Sequence, residues 1–210
     1  MIRVLVADDH ALIREGLAKV FGRENDIDVL AEARDAHEAI SLSLSLDVDV
    51  VILDVNMPGP SGLEALNRIL VGKPDLPVLM LSMLPERDFA VRMLRAGAAG
   101  FVSKESAADD IVEAVRRAAG GNKYVSPSAA DHLAAELARP RGDTPHELLS
   151  NREFQVLRMI ASGQGTREIA EGLELSVNTI ATYRRRILRK LALRSDVEVT
   201  RYAMEHRLLD

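Results

Sequence analysis

The chain has 210 residues, contains no cysteine and carries a formal net charge of −5. This length accommodates one large domain or two small ones, and the lack of cysteine excludes a disulfide framework and a thiolate metal site. No apolar stretch reaches the length of a transmembrane helix and the N-terminus lacks the apolar region of a signal peptide, so we expect a cytoplasmic protein with no membrane partner.

Charge is distributed unevenly along the chain. Residues 1–124 carry 14 Lys and Arg against 20 Asp and Glu, whereas residues 150–210 carry 11 against 8. An acidic front and a basic rear predict different partners for the two parts, although chance variation in solvated surfaces would produce the same imbalance.

The first 124 residues alternate between strand and helix patterns. Short apolar runs predict strands at Ile2–Ala7, Asp28–Ala33, Val48–Leu53, Pro77–Ser82 and Gly100–Ser103. Helical patterns follow them at residues 10–22, 35–46, 61–71, 85–97 and 106–119. Five strand–helix units predict an α/β domain with a doubly wound, five-stranded parallel sheet. Residues 41–46 alternate Ser and Leu as a strand would, but we assign them to a helix end because the next strand follows at once.

Three aspartates stand where two of these strands end. Asp8 and Asp9 follow the first strand, and Asp54 follows the third. Because parallel strands bring their carboxyl ends to one edge, these carboxylates would repel one another unless a cation lay between them. Mg²⁺ prefers such oxygen ligands, so Asp9 and Asp54 are predicted to bind it directly and Asp8 through water. A carboxylate beside the ion can then attack a phosphoryl group and form an acyl phosphate.

Two further residues fit this chemistry. Lys104 lies just beyond the fifth strand and would complete the clamp on a phosphoryl group, while Ser82 ends the fourth strand and can donate to a phosphoryl oxygen. Each residue also has a simpler explanation, since an Asp-Asp pair often caps a helix and a lone loop lysine is usually solvated. The combination is more specific than its members because four strand ends each supply a fitting residue.

With these residues in place, residues 1–124 resemble the flavodoxin-like receiver domain of two-component response regulators. The stretch Asp54–Gly62, DVNMPGPSG, resembles the family's phospho-acceptor motif. The resemblance implies that Asp54 is the phospho-acceptor and that the backbone carbonyl of Asn56 joins the Mg²⁺ ligands. It also implies that Asp8 and Asp9 are the acidic pair and that Lys104 is the family's lysine. Ser82 would be the hydroxyl switch residue and Phe101 the aromatic switch residue. Met83 is bulkier than the small residue common after the switch hydroxyl, so we expect a long-lived phospho-Asp54.

Residues 125–147 are predicted to link this domain to a second one. They contain a short helical pattern at 127–139 and then a polar stretch with two prolines and a glycine. The second domain, residues 148–210, shows only helical patterns, at 150–162, 166–173, 176–192 and 195–207. Ser150 and Ser195 each precede a glutamate by three residues, as in a capping box, and Thr166 and Ser176 are predicted N-caps.

The third of these helices is basic and follows the second after a short connection. No acidic residue occurs from Ser176 to Ser195. Two helices joined by a tight turn, with the second one basic, indicate a helix-turn-helix that binds double-stranded DNA, although a solvated helix of a small bundle would have the same charge. The predicted DNA contacts are Asn178, Thr179, Thr182, Tyr183, Arg185, Arg186, Arg189 and Lys190.

The pattern from Leu149 to Leu191 resembles the LuxR-type helix-turn-helix, and the whole chain resembles the NarL/FixJ class of response regulators. Ala181 and Tyr183 stand where much of that family has lysine and histidine, so DNA specificity cannot be copied from relatives. In this class the last helix often pairs two output domains, which implies a homodimer on DNA; the alternative is that its apolar residues only pack against their own domain.

The resemblance implies a phosphorylation-gated transcription regulator, phosphorylated on Asp54 by a partner histidine kinase. It would not be an enzyme, apart from assisting its own phosphoryl transfer and dephosphorylation. One alternative is a regulator that binds DNA independently of phosphorylation. A phospho-aspartate phosphatase is disfavoured, because the position two residues after Asp54 is Asn56 rather than a second aspartate.

Overall fold

The computed structural model describes residues 1–83, 86–126, 130, 145–173, 175–206 and 208–209. The chain divides into two compact units, residues 1–140 and 141–210. The predicted linker helix at 127–139 lies almost entirely outside the described residues. In the parts of the chain that are described, no helix is long and apolar enough to span a membrane.

The first unit contains the predicted five-stranded parallel sheet. The strands are β1 (Ile2–Ala7), β2 (Ile27–Ala33), β3 (Val50–Asp54), β4 (Val78–Ser82) and β5 (Gly100–Ser103). The helices are α1 (Ala11–Phe21), α2 (Ala36–Ser45), α3 (Gly62–Gly72), α4 (Glu86–Arg95) and α5 (Ala108–Ala119). All pairings are parallel and the order is β2-β1-β3-β4-β5. The strand order reverses between β1 and β3, which places the ligand crevice at the carboxyl ends of these two strands.

The central strands are apolar on both faces because helices cover both sides of a parallel sheet. Every residue of β3 and β4 is buried, and in β1 burial begins at Val4. The Ser–Leu segment belongs to α2, as predicted, and the hydroxyl of its buried Ser43 donates to the Ala39 carbonyl 2.6 Å away. That bond satisfies the serine inside the helix, so the alternating pattern does not produce a strand.

Some boundaries differ from the predicted ones. Strand β3 begins at Val50 rather than Val48, and Asp54 is its last residue instead of the first residue after it. Asp49 instead accepts hydrogen bonds from the main chain and guanidinium of Arg3. Asp54 is therefore held by the sheet itself, which fixes its main chain more firmly than a loop would.

The second unit is all-α, as predicted. A 3₁₀ turn at Pro145–Leu148 precedes α6 (Asn151–Ala161), α7 (Thr166–Gly172), α8 (Val177–Lys190) and α9 (Asp196–Glu205). Ser150 and Glu153 form the predicted capping box, and Ser176 caps α8. The predicted cap at Thr166 is wrong: Gly165 occupies the N-cap, and its N–H donates to the Glu168 carboxylate, leaving Thr166 as the first helical residue.

Candidate functional site

The carboxyl edge of the sheet holds a buried acidic cluster with one lysine at its centre. Asp8 follows β1, Asp54 ends β3 and Lys104 follows β5. The Lys104 Nζ donates to Asp54 Oδ2 at 3.0 Å and lies 2.6 Å from Asp8 Oδ2. The contact with Asp8 is an ion pair without hydrogen-bond alignment, because that oxygen has no hydrogen-bond partner. All three side chains are almost fully buried.

The electrostatics of this cluster leave a negative charge in excess. Burial raises the pKa of Asp54, and the charge of Asp8 adds to this effect, against the opposing attraction of Lys104. Burial would lower the pKa of Lys104, but the charges of Asp54 and Asp8 and the hydrogen bond to Asp54 raise it. The carboxylates of Asp8, Asp9 and Asp54 together with the Lys104 ammonium carry a formal charge that a divalent cation would neutralise.

The side chains present suit a metal ion that prefers oxygen ligands. One ligand atom each from Asp8, Asp9, His10 and Asp54 lies within 4.8 Å of the others. Asp8 Oδ2 and the side-chain Oδ1 of Asn56 are buried with no hydrogen-bond partner among the described residues. The Asn56 N–H donates to Asp54 Oδ1 at 3.2 Å, so the Asn56 main chain adjoins this carboxylate. The cluster can therefore hold a divalent cation.

His10 is a member of the cluster that the sequence interpretation missed. Its Nδ1 lies 2.8 Å from Asp9 Oδ1 and 3.1 Å from Asp8 Oδ1, and its N–H donates to Asp8 Oδ1. The available signal was its position directly after the acidic pair, at the N-cap of α1. His10 thus orients both carboxylates of the pair.

The loop after Asp54 is shaped by glycine. Gly59 has a φ of +99°, which favours glycine, and a Cβ on Gly62 would lie 2.7 Å from the Val55 Cα. Ser61 caps α3 by accepting from the Glu64 N–H. The spacing of the motif is therefore required by a tight return from β3 into α3.

Ser82 and Phe101 lie on the two strands beyond Asp54. Ser82 is buried at the end of β4, where its carbonyl accepts from the Lys104 N–H at 2.8 Å. Phe101 is 1% exposed, so its ring already lies inside the protein. In this conformation the aromatic switch residue is therefore turned inward, with Asp54 unphosphorylated.

The second unit presents a basic face on α8. Ile180 and Ile187 are buried against the other helices, which leaves the opposite face of α8 to solvent. The predicted contacts that are exposed on it are Asn178, Thr182, Arg185, Arg186 and Arg189, and Tyr183 is partly exposed. Exposed arginines along one helix form a surface that attracts phosphates.

Two of the predicted DNA contacts on α8, Lys190 and Thr179, have partners within the second unit. The Lys190 ammonium donates to the buried carboxylate of Glu153 at 2.5 Å and to the Leu148 carbonyl at 3.1 Å. Burial would raise the pKa of Glu153, but the bonds from Lys190 and the Ser150 N–H lower it. The Thr179 hydroxyl lies 2.8 Å from the hydroxyl of the Ser176 cap. Lys190 and Thr179 therefore have partners in their own unit, and their contact with DNA stays a prediction.

Helix α9 has one buried and one exposed face. Val199 and Ala203 are in the core of the unit, whereas Val197 is 79% exposed and Met204 is 66% exposed. The Tyr202 hydroxyl lies 3.0 Å from His146 Nδ1 in the 3₁₀ turn, which ties the helix to its own unit. Both predicted roles of the helix thus have residues to support them: packing at Val199 and an open apolar face at Val197.

Comparison with known proteins finds a matching family for each of the two units. Residues 4–116 match the response regulator receiver domain, and residues 147–203 match the luxR family of bacterial regulatory proteins. Response regulator GacA of Pseudomonas protegens is 39% identical over 210 residues, covering 100% of this chain and 99% of GacA. Response regulator UvrY of Escherichia coli K12 is 37% identical over 209 residues, covering 99% of this chain and 96% of UvrY.

Solved structures of RcsB are similar over the same length. RcsB from Salmonella enterica serovar Typhimurium, bound to promoter rprA with the phosphomimetic BeF₃⁻, has a TM-score of 0.60 at 27% identity, covering 96% of this chain and 97% of RcsB. A structure of two RcsB dimers bound to two parallel DNAs also has a TM-score of 0.60 at 27% identity, covering 97% of this chain and 98% of RcsB.

Proposed function

This chain belongs to the two-component response regulators that join a receiver domain to a LuxR-type DNA-binding domain, and we propose that phosphorylation of Asp54 gates its binding to DNA. The observation that carries the proposal is the position of Asp54. It is the last residue of β3, it lies beside Lys104, and it belongs to an acidic cluster suited to a divalent cation.

The proposed reaction is phosphoryl transfer from a phosphohistidine of a sensor kinase. A carboxylate oxygen of Asp54 attacks the phosphorus, the P–N bond breaks, and the imidazole leaves with its electron pair. Lys104 stabilises the charge that develops on the phosphoryl oxygens, and the Ser82 hydroxyl donates to one of them once the acyl phosphate has formed.

We propose Mg²⁺ as the cation of this site. Asp9, Asp54 and the backbone carbonyl of Asn56 would hold it, with Asp8 acting through water. When bound, the ion neutralises charge on the carboxylates and on the incoming phosphoryl group. Lys104 alone cannot do this, because its single charge already serves Asp8 and Asp54.

DNA binding is proposed to use the exposed face of α8 and a second copy of the chain. We propose that Arg185 contacts base edges, and that Arg186 and Arg189 contact phosphates. The support is their exposure on the second helix of a LuxR-type helix-turn-helix, together with the RcsB dimers that bind DNA. Val197 on α9 would contribute to pairing of two output domains. A cytoplasmic location follows from the proposed partners, since a kinase phosphohistidine and the genome are both found there.

Intact-mass spectrometry with acetyl phosphate and Mg²⁺ tests the phosphoryl chemistry directly. We expect one phosphoryl adduct on the wild-type protein, none on Asp54→Ala, and a wild-type result for Asp75→Ala, a matched change at an exposed aspartate. An adduct that survives in Asp54→Ala would refute Asp54 as the acceptor.

Gel-shift measurements with a duplex selected from random sequence test the gating. We expect the phosphorylated wild type to bind more tightly than the untreated protein, with Asp54→Ala unresponsive to acetyl phosphate. Equal binding by all three proteins would favour regulation independent of phosphorylation.

A further inference from the structure

Arg14 is a buried charged residue that the proposed phosphoryl chemistry does not use. It lies on α1 and is 8% exposed. Its Nη1 donates to the Asp8 carbonyl at 2.8 Å, and its Nε donates to Glu32 Oε2 at 2.9 Å. Burying a guanidinium costs stability unless it is paired and hydrogen-bonded. Glu32, near the end of β2, provides the ion pair, and the second hydrogen bond of Arg14 goes to the main-chain carbonyl of Asp8.

The Asp8 carbonyl lies at a point where the main chain leaves regular structure. The Asp8 N–H still continues the sheet by donating to the Ala33 carbonyl at 3.1 Å. The first main-chain bonds of α1 reach back only to the His10 carbonyl. Among the described residues, no main-chain N–H donates to the Asp8 carbonyl, so Arg14 supplies the donor that neither the sheet nor the helix provides.

The peptide bond between Asp8 and Asp9 is a planar unit, so a donor that fixes its oxygen also fixes the orientation of its N–H and of both flanking Cα atoms. Those two Cα atoms carry the carboxylates of the acidic pair. The His10 N–H and ring hold the Asp8 carboxylate from the other side. Arg14 and His10 together therefore fix the main chain and the side chain of the pair.

We propose that Arg14 is a positioning residue for the acidic cluster: by holding the Asp8–Asp9 peptide plane, it aims both carboxylates at the divalent cation that Asp54 needs for phosphorylation. This inference rests on the proposed function and deepens it. Arg14 touches neither cation nor phosphoryl group and acts through Asp8, while Glu32 acts one step further back by orienting the guanidinium.

Two other roles for Arg14 would each give a different change in cation affinity when Arg14 is removed. If Arg14 only placed positive charge near the cluster, its removal would strengthen cation binding, because repulsion would be relieved. If Arg14 only tied α1 to β2, its removal would lower stability and leave cation affinity unchanged. A positioning role requires weaker cation binding in a protein that is still folded.

The experiment is a Mg²⁺ titration of the full-length protein followed by two-dimensional ¹H–¹⁵N NMR, which reports folding and cation binding in the same spectrum. The variants are Arg14→Ala, Arg14→Lys and Glu32→Gln. The matched control is Arg116→Ala, which removes ion pairs to Glu24 and Asp26 that precede β2, at the opposite end of the sheet. Acetyl phosphate labelling is measured on the same samples.

We expect Arg14→Ala to raise the Kd for Mg²⁺ about tenfold or more, the usual effect of removing a group that orients metal ligands. Arg14→Lys should recover part of the loss, because an ammonium can still donate to the Asp8 carbonyl, and Glu32→Gln should show a smaller rise. Arg116→Ala should lower the thermal midpoint without changing the Kd. If Arg14→Ala does not fold, Arg14→Lys and Glu32→Gln decide the question.

An unchanged or lower Kd in the folded Arg14 and Glu32 variants would overturn the inference. A wild-type protein that binds Mg²⁺ but takes no phosphoryl group would instead overturn the proposed function, leaving the positioning of the cation by Arg14 to be judged from the Kd values. A wild-type protein that does not bind Mg²⁺ would overturn both.

Discussion

Lys104 and Asp54 form a buried ion pair, with 3.0 Å between Nζ and Oδ2, and Lys104 shares its charge with a second buried carboxylate, that of Asp8. One ammonium between two carboxylates leaves the folded protein with an electrostatic cost at the residue proposed to be phosphorylated. This cost provides a means of testing the site without any kinase, because it changes the stability of the first unit with pH and with divalent cations.

Asp54→Asn is expected to stabilise the first unit at neutral pH in the presence of a chelator. Burial raises the pKa of Asp54 in the folded state, so its contribution to stability is complete below the unfolded value of 3.8 and is lost as pH rises through the folded pKa. At pH 7 the ionised carboxylate therefore opposes folding. We expect a gain on the order of 1 kcal/mol in Asp54→Asn, or about 3 °C in the unfolding midpoint. Thermal unfolding followed by circular dichroism measures it.

Two conditions control this prediction. The gain should shrink as pH falls towards 4, because the wild-type carboxyl becomes protonated, and it should shrink in Mg²⁺, which stabilises the wild type more than the variant. A variant that is less stable than the wild type at pH 7 with chelator would show that the Lys104 ion pair outweighs the burial of Asp54.

Lys190→Met is expected to destabilise the second unit and to leave the salt dependence of DNA binding unchanged. Lys190 is the cation paired with Glu153, which is 2% exposed, so the variant leaves a buried carboxylate without its counter-charge. We expect a loss of about 1–3 kcal/mol in the free energy of unfolding. Arg189→Met is the matched control, one residue away and exposed.

The control should behave in the opposite way. Arg189→Met should change stability by less than about 0.5 kcal/mol, because it lies on the surface. It should reduce the slope of log K against log salt by about 1, as expected for one lost phosphate contact. A reduced slope in Lys190→Met would return Lys190 to the DNA contacts.

The alternation of strands and helices could be predicted because the central strands are buried on both faces and some helices begin at a recognisable cap, such as those at Ser150 and Ser176. The acidic cluster could be predicted because parallel strands place Asp8, Asp9 and Asp54 at one edge. The ion-pair partners of individual charged side chains could not be predicted. Lys190 finds Glu153 37 residues away, and that contact depends on how α8 packs on α6, which no local pattern encodes.

The inward position of Phe101 could not be predicted from the sequence either. An aromatic residue on an edge strand can turn to either side of the domain, and packing decides between them. The predicted start of β3 was wrong for a related reason. The strand begins at Val50, because the carboxylate of Asp49 accepts hydrogen bonds from Arg3 just before it. Tertiary contacts of this kind appear only once the chain is folded.

Met83→Ala is expected to shorten the lifetime of phospho-Asp54 severalfold. Met83 follows Ser82 at the carboxyl edge of the sheet and is 60% exposed, so its side chain can shield a phosphoryl group on the neighbouring strand from attacking water. The decay of the phosphoryl adduct is measured by intact mass after acetyl phosphate is removed at constant Mg²⁺. Met204→Ala, an exposed methionine of the second unit, should leave the lifetime unchanged. Equal decay of Met83→Ala and wild type would remove the shielding argument.

Arg185→Ala is expected to weaken specific DNA binding by about 1–3 kcal/mol, the scale of a good base contact. Arg185 is exposed near the middle of α8, on the face opposite the buried Ile187. Fluorescence anisotropy with a selected duplex and a scrambled duplex, at several salt concentrations, separates base from phosphate contacts. Arg185→Ala should lose affinity mainly for the selected duplex, whereas Arg186→Ala should lose affinity for both. Equal losses on the two duplexes would make Arg185 a phosphate contact.

Val197→Glu is expected to weaken dimeric binding on DNA while leaving the folded monomer intact. Val197 is 79% exposed on α9, whereas Val199, two residues later, is fully buried in the same unit. A carboxylate at position 197 meets water in the monomer but would be buried and unpaired in a dimer formed through this face. Gel shifts on a two-site duplex should lose the dimer band and keep a weaker monomer band, and circular dichroism should be unchanged. Glu205→Gln, an exposed change on the same helix, is the control. A retained dimer band in Val197→Glu would assign the pairing to another surface of the chain.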